Sequence, residues 1–131
     1  GLIGINSVGG DLETKMITGC KKTLDYYNIC NYKLFTCDVG KIPKFVDTVD
    51  AIATDFPYGK STTTHGEKLT DVYRRAFKIF QQLLKKGGKA VVGVPSIDAV
   101  EIGKKYLKLK ETHPYRVHRS LTRYFTVFEK Q

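Results

Sequence analysis

Eight consecutive residues, Thr54-Asp55-Phe56-Pro57-Tyr58-Gly59-Lys60-Ser61, carry side chains suited to holding a flat, amine-bearing base. A carboxylate accepts hydrogen bonds from an amine, a proline stiffens the turn beyond it, and an exposed aromatic offers a stacking face. A plain Pro-Tyr-Gly turn accounts for the same residues without any ligand. Two further carboxylates, Asp11 and Asp38, also follow strand-like segments. An Asp after a strand is commonly a helix cap or turn former. Three at successive strand ends coincide with the place where open α/β sheets bind ligands.

The other reactive side chains point to less. His65 and His113 are isolated, with no Cys or carboxylate at ligand spacing, so no metal site is expected. Cys20, Cys30 and Cys37 are an odd number without a CxxC pair, which indicates neither a disulfide framework nor a zinc ribbon, and they are expected to be reduced and structural. The balance of 22 Lys and Arg against 13 Asp and Glu, net +9, favours a polyanionic partner such as nucleic acid, against the plain alternative of a solvated basic surface. Lys104, Lys105, Lys108 and Lys110 read as such a solvated face.

The elements that position these residues follow from periodicity. A short strand over Ile5 to Gly9 runs into a turn at Gly10-Asp11. Met16, Ile17, Cys20, Leu24 and Tyr27 fall at helical spacing, and Asn28 ends that helix. Tyr32 to Cys37 is a second strand, Asp38 to Asp47 a loop around Pro43, and Val49 to Thr54 a third strand, buried by its composition. Leu69, Val72, Tyr73, Ala76, Phe77, Phe80, Leu83 and Leu84 form the clearest apolar stripe, a helix closed by Lys85-Lys86 and Gly87-Gly88. Ala90 to Val94 is a buried fourth strand, and Ser96 caps a shorter helix with Ala99, Val100, Gly103, Tyr106 and Leu107 inward. Thr112 to Val117 and Leu121 to Glu129 flank His118-Arg119-Ser120, the spacing of an antiparallel hairpin.

This alternation predicts an α/β fold with a mostly parallel sheet, right-handed crossovers and an antiparallel C-terminal strand pair. One hundred and thirty-one residues, 41% hydrophobic with eight Tyr and seven Phe, suffice for one core, so residues 1–131 are expected to form a single domain. No apolar run approaches the about 18 residues of a membrane span, and the N-terminus shows no signal-peptide pattern. A soluble, cytoplasmic protein without a membrane partner is the expectation.

Asp55-Phe56-Pro57-Tyr58 resembles the Asp/Asn-Pro-Pro-Tyr motif of class I S-adenosylmethionine-dependent methyltransferases that act on exocyclic amines. More specific are Gly10-Asp11-Leu12-Glu13-Thr14-Lys15-Met16, Tyr58-Gly59-Lys60-Ser61-Thr62-Thr63, Leu84-Lys85-Lys86-Gly87-Gly88 and, above all, the hairpin His118-Arg119-Ser120-Leu121-Thr122-Arg123. Together they are similar to the catalytic domain of the archaeal and eukaryotic tRNA guanosine-10 N2-methyltransferase family, over essentially the whole chain.

The resemblance implies a Rossmann-like class I methyltransferase sheet, S-adenosylmethionine as cofactor and tRNA as partner, with room for an activator subunit. Asp11 would accept hydrogen bonds from the cofactor's ribose hydroxyls and Asp38 from its adenine amine, with Asp55 also bordering the cofactor. The catalytic set would be Asp55, Pro57 and Tyr58. Asp55 and a backbone carbonyl near Phe56 or Pro57 would receive the guanine amine, and Tyr58 would stack on the base. Phe56, Lys60, Ser61, His118, Arg119 and Arg123 would complete the substrate side, the last three facing RNA or supporting the site. Phe56 replaces the family's first proline and is expected to loosen the turn. Family members precede this segment with a strand and a glycine-rich cofactor loop, and Gly1 to Gly4 resembles the tail of the helix after that loop. The chain therefore reads as a partial catalytic domain lacking both. Another amino-methyltransferase, on adenine N6 or a protein amide, and a non-catalytic RNA-binding module with this fold are the competing readings.

Overall fold

Six strands and three α-helices realise the alternation in the expected order, in a computed structural model that describes residues 2–58 and 68–131. Two units, Gly1–Phe45 and Val46–Gln131, are each compact in themselves. In the first, β1 (Ser7–Asp11) leads into α1 (Thr14–Tyr26), then β2 (Tyr32–Thr36) and a short 3-10 helix, Val39–Lys44. β1 and β2 pair in parallel, from Ser7 opposite Tyr32 to Asp11 opposite Thr36. Asn28 closes α1 with a φ of 56°, a left-handed conformation that Asn tolerates better than most residues.

The apolar positions of α1 occur as spaced, yet none is fully buried. Ile17 and Leu24 are half-covered while Met16 is exposed, because a two-stranded sheet offers a helix only a narrow surface. The segment after Asp38 is a capped 3-10 helix rather than an open loop. The Asp38 carboxylate accepts from the Gly40 amide at 2.7 Å, satisfying a donor that the helix start leaves over.

The second unit holds the main core. β3 (Val49–Asp55), α2 (Leu69–Leu83), β4 (Leu84–Val94), α3 (Ile97–Lys104), β5 (Lys108–His118) and β6 (Leu121–Glu129) build a four-stranded sheet of order β3-β4-β6-β5. β3 and β4 are parallel; β6 runs antiparallel to both β4 and β5. One face packs Ala90, Val92 and Val94 of β4 with Thr126 and Phe128 of β6 against Tyr73, Ala76, Phe77, Phe80 and Leu83 of α2 and Ala99, Val100 and Ile102 of α3. Buried Thr126 donates its hydroxyl to the Val92 carbonyl at 2.7 Å, so no polar atom of it is stranded in the core. Ser96 accepts from the Ala99 amide at 3.2 Å, the cap read from the sequence.

Three local expectations change. Val49–Asp55 is mostly exposed rather than buried, because β3 lies at the edge of its sheet. The Lys85-Lys86-Gly87-Gly88 segment does not trail off the helix. β4 begins at Leu84, and Gly87, at φ 82°, donates its amide to the Lys130 carbonyl at 2.8 Å while the Lys130 amide returns to Gly88 at 3.0 Å. β5 starts at Lys108, four residues before Thr112, because β6 is long enough to pair with it there, Lys108 lying opposite Glu129.

Alternation of side chains along a strand puts Gly93, between buried Val92 and Val94, on the sheet face away from α2 and α3. Register places Asp55 beside Gly93, and Gly93 beside Phe125, on that same face. No helix among the described residues is long and apolar enough to cross a membrane.

Candidate functional site

The site begins where β3 ends. Asp55 is the last residue of the strand, and the Phe56 amide donates to the Gly93 carbonyl at 2.8 Å, carrying the ladder one step past it. Proline at this position would have no N–H for that bond. The Phe56 ring turns into the core, 4% exposed, stacked on Tyr73 at 5.0 Å between centroids and edge-on to Phe77 at 5.2 Å. Phe56 therefore fastens the turn instead of loosening it. With its ring buried, Phe56 keeps its backbone carbonyl, the kind of acceptor expected near Phe56 or Pro57.

Tyr73 holds the next residue. Its hydroxyl donates to the Pro57 carbonyl at 2.5 Å. Burial raises the Tyr73 phenol above its ordinary value of 10.0, with the Arg123 charge opposing in part, so the hydroxyl stays protonated and remains a donor near neutral pH.

Beneath the turn lies Arg123, 4% exposed on β6. Its Nη2 donates to the Asp55 carboxylate in an ion pair and approaches the Phe56 carbonyl at 3.4 Å. Its guanidinium carbon sits 3.9 Å from the centroid of the Tyr58 ring, a cation–π contact. The Asp55 side chain itself is 62% exposed. Arg123, expected either to face RNA or to support the site, points its side chain inward, to the carboxylate and the aromatic ring.

Gly93 makes that reach possible. A Cβ there would collide with Asp55 Oδ1 and lie 3.3 Å from Arg123 Nη2. The glycine leaves a gap in β4 through which a side chain of β6 meets one of β3. Sequence reasoning passed over both Gly93 and Tyr73. A glycine inside an otherwise β-branched buried strand is a signal for such close approach, whereas Tyr73 is indistinguishable in sequence from the rest of its apolar stripe.

In the first unit, Asp11 ends β1 and its Oδ1 accepts from the Glu13 amide at 2.8 Å. Asp11 also borders a groove lined by Gly9, Gly10, Met16, Ile17 and Leu34. Asp38 follows β2 as the cap described above. Both carboxylates thus do turn or cap work at the carboxyl end of a strand. Burial raises the thiol pKa of Cys37, next to Asp38, with the Asp38 charge adding to it. Cys20, Cys30 and Cys37 are all free thiols, and Cys20 and Cys30 are exposed rather than structural.

His118 and Arg119 are exposed at the tip of the β5–β6 hairpin, where His118 Nδ1 accepts from the Ser120 amide at 3.3 Å. Lys60 and Ser61 lie outside the described residues. Among the described residues no group of three or more His, Cys, Asp or Glu is placed to hold a metal.

Residues 4–124 match the UPF0020 family, described as an RMKL-like methyltransferase domain. The chain belongs to this family of methyltransferase domains. It is 33% identical, over 131 residues, to the tRNA (guanine(10)-N2)-dimethyltransferase of Methanothermobacter thermautotrophicus, covering 99% of this chain and 39% of that protein. The chain spans about two fifths of the length of this relative and of the tRNA (guanine(10)-N2)-dimethyltransferase of Pyrococcus abyssi. Among solved structures, TrmN from Thermus thermophilus superposes with a TM-score of 0.75 at 20% identity, covering 95% of this chain and 36% of that one. The N-methyltransferase NodS from Bradyrhizobium japonicum, in complex with S-adenosyl-L-homocysteine, gives 0.74 at 14% identity, covering 94% and 65%. These likenesses show the expected Rossmann-like α/β fold of class I methyltransferases.

Proposed function

We propose that this chain is part of a single catalytic domain of a tRNA guanine-N2 methyltransferase, the acceptor being the exocyclic amine of guanosine-10 and the donor S-adenosylmethionine. The names of the relatives support this reading, and one observation of the site carries it. An exposed Asp55 carboxylate, the Phe56 and Pro57 carbonyls and the Tyr58 ring converge on one turn whose backbone is fastened from the core.

The arrangement suits the chemistry. The lone pair of a guanine amine is delocalised into the ring, so the amine must be held and aimed before it can attack a carbon electrophile. Asp55 accepts a hydrogen bond from the amine, the neighbouring carbonyls have lone pairs for its second hydrogen, and Tyr58 supports the base plane. Stacking of this kind is worth ~1–3 kcal/mol per base. The amine becomes acidic only as it gains the methyl group, so Asp55 serves as an acceptor without needing to be a strong base.

The first unit fits the donor. Ribose hydroxyls and an adenine amine need acceptors, and Asp11 and Asp38 provide them at strand ends, with the apolar groove beside Asp11 for a ring or chain. When bound, S-adenosylmethionine supplies an electrophilic methyl on sulfonium. The +9 charge suits a tRNA partner, with exposed His118 and Arg119 in reach of phosphate, and the cytoplasm is the matching location.

The test is nucleoside mass spectrometry of tRNA after incubation with the protein and S-adenosylmethionine. One or two added methyl groups on guanosine are expected, and Asp55→Ala should lower the rate on the order of a hundredfold. Methyl on adenosine instead, or equal incorporation by Asp55→Ala, would reject the assignment.

A further inference from the structure

We propose that Arg123 is a positioning residue of this site, a buried guanidinium that fixes from the inner side both the carboxylate of Asp55 and the ring of Tyr58. This rests on the base-holding role given above to those two residues. The two sides of the turn differ sharply in exposure. Arg123 is 4% exposed, whereas the Asp55 side chain is 62% exposed. The guanidinium takes Oδ1 of Asp55 from within the protein, and the solvent-facing part of the carboxylate is left for a ligand.

Geometry shows why an arginine is needed. One planar group makes three contacts at once: the ion pair with Asp55, the approach of Nη2 to the Phe56 carbonyl at 3.4 Å, and the face contact with Tyr58 at 3.9 Å. A lysine ammonium is a point charge that can pair with Asp55 but cannot lie flat along a ring. The three groups contacted are those proposed to meet the base, so the guanidinium sets their relative placement before any ligand arrives.

Packing alone does not explain the residue. Arg123 Nε and Nη1 are buried without a hydrogen-bond partner among the described residues. Burying an arginine with these two nitrogens unmet among the described residues is costly, and an apolar side chain would fill the same space at lower cost. Gly93 gives up its own side chain to let the contact form. Both features make sense if the placement of Asp55 and Tyr58 is what the structure maintains.

The test is steady-state methyl transfer to tRNA by the full protein carrying Arg123→Met or Arg123→Lys, with thermal unfolding measured in parallel. Misplacement of reacting groups by about 1 Å can cost on the order of a hundredfold. The expectation is a folded protein whose kcat falls roughly tenfold to a hundredfold, with KM for tRNA changed much less, and Arg123→Lys between wild type and Arg123→Met. Should Arg123→Met fail to fold, the same split in Arg123→Lys decides the matter. Wild-type kcat in a folded variant would overturn the proposal. So would a lowered KM with kcat intact, which would mean that the guanidinium competes with the base for Asp55. Full activity of the Arg123 variants beside an inactive Asp55→Ala would sink this inference alone; full activity of all of them would sink the base-holding role as well.

Discussion

Replacing Gly93 by alanine is the smallest change that interrogates the contact between β3 and β6. The added methyl would occupy the place of Asp55 Oδ1 and press on Arg123 Nη2 at 3.3 Å, so Asp55 must leave its rotamer and the ion pair must open. Stripping a buried charge of its partner costs ~3–5 kcal/mol. Here only the arginine is buried. Asp55 is 62% exposed, and solvent screening of the kind that reduces surface pairs to ~0–1 kcal/mol brings the expected loss to roughly 1–3 kcal/mol. Alanine is better than glycine in a strand by roughly 0.5–1 kcal/mol, which offsets part of it. A net destabilisation of about 1–2 kcal/mol remains, or a Tm about 4–10 °C lower in a chain of this size. Gly19→Ala is the matched control. Nothing lies within 4 Å of a Cβ at Gly19, inside α1, so the same substitution there should stabilise by up to about 1 kcal/mol. Circular-dichroism melts with methyl-transfer rates on the same samples provide the readout. A Gly93→Ala protein as stable and as active as wild type would refute the reasoning, because the inserted methyl would then have found room without moving Asp55.

Phe56→Pro turns Asp55-Phe56-Pro57-Tyr58 into the Asp-Pro-Pro-Tyr pattern it resembles, yet here it should destabilise. It removes a ring buried against Tyr73, Phe77 and Phe80, at ~3–5 kcal/mol for a core Phe, and the amide that donates to Gly93, so the urea midpoint should fall sharply; an unchanged midpoint would show that the ring does not hold the turn. Tyr73→Phe loses the bond to the Pro57 carbonyl and should cost about 1 kcal/mol near neutral pH. Because burial raises the Tyr73 phenol in the folded state, its contribution is complete below the unfolded value of 10.0 and disappears as pH rises through the folded value. The stability gap between wild type and Tyr73→Phe should therefore narrow above about pH 10, and a gap constant with pH would contradict this.

Much of the fold was legible because apolar periodicity is local. The stripe from Leu69 to Leu83 became α2, Ser96 capped α3, and His118-Arg119-Ser120 turned the hairpin, each set by residues within a few positions of one another. The end of the third strand ahead of Phe56-Pro57-Tyr58 was legible for the same reason. Burial was less so. Val49–Asp55 has the composition of an inner strand, but its exposure depends on the order β3-β4-β6-β5, which no residue within it encodes. Phe56 looked like a weakened proline position because the aromatic cluster that receives it lies on α2, a separate element.

Sequence alone determined the element types, the basic charge, the carboxylates at three strand ends and the Asp55-Phe56-Pro57-Tyr58 motif, since each depends on residue identity and short-range spacing. Tertiary structure alone decided what stands behind the motif. Asp55 and Arg123 are 68 positions apart and meet only because β4 lies between their strands in a register that sets Gly93 in the path. A one-residue slip would turn every side chain of a strand to the opposite face and place a valine there instead. Pairing order and register arise from the packing of the whole sheet, and they make a buried arginine, a missing side chain and an exposed carboxylate into one site.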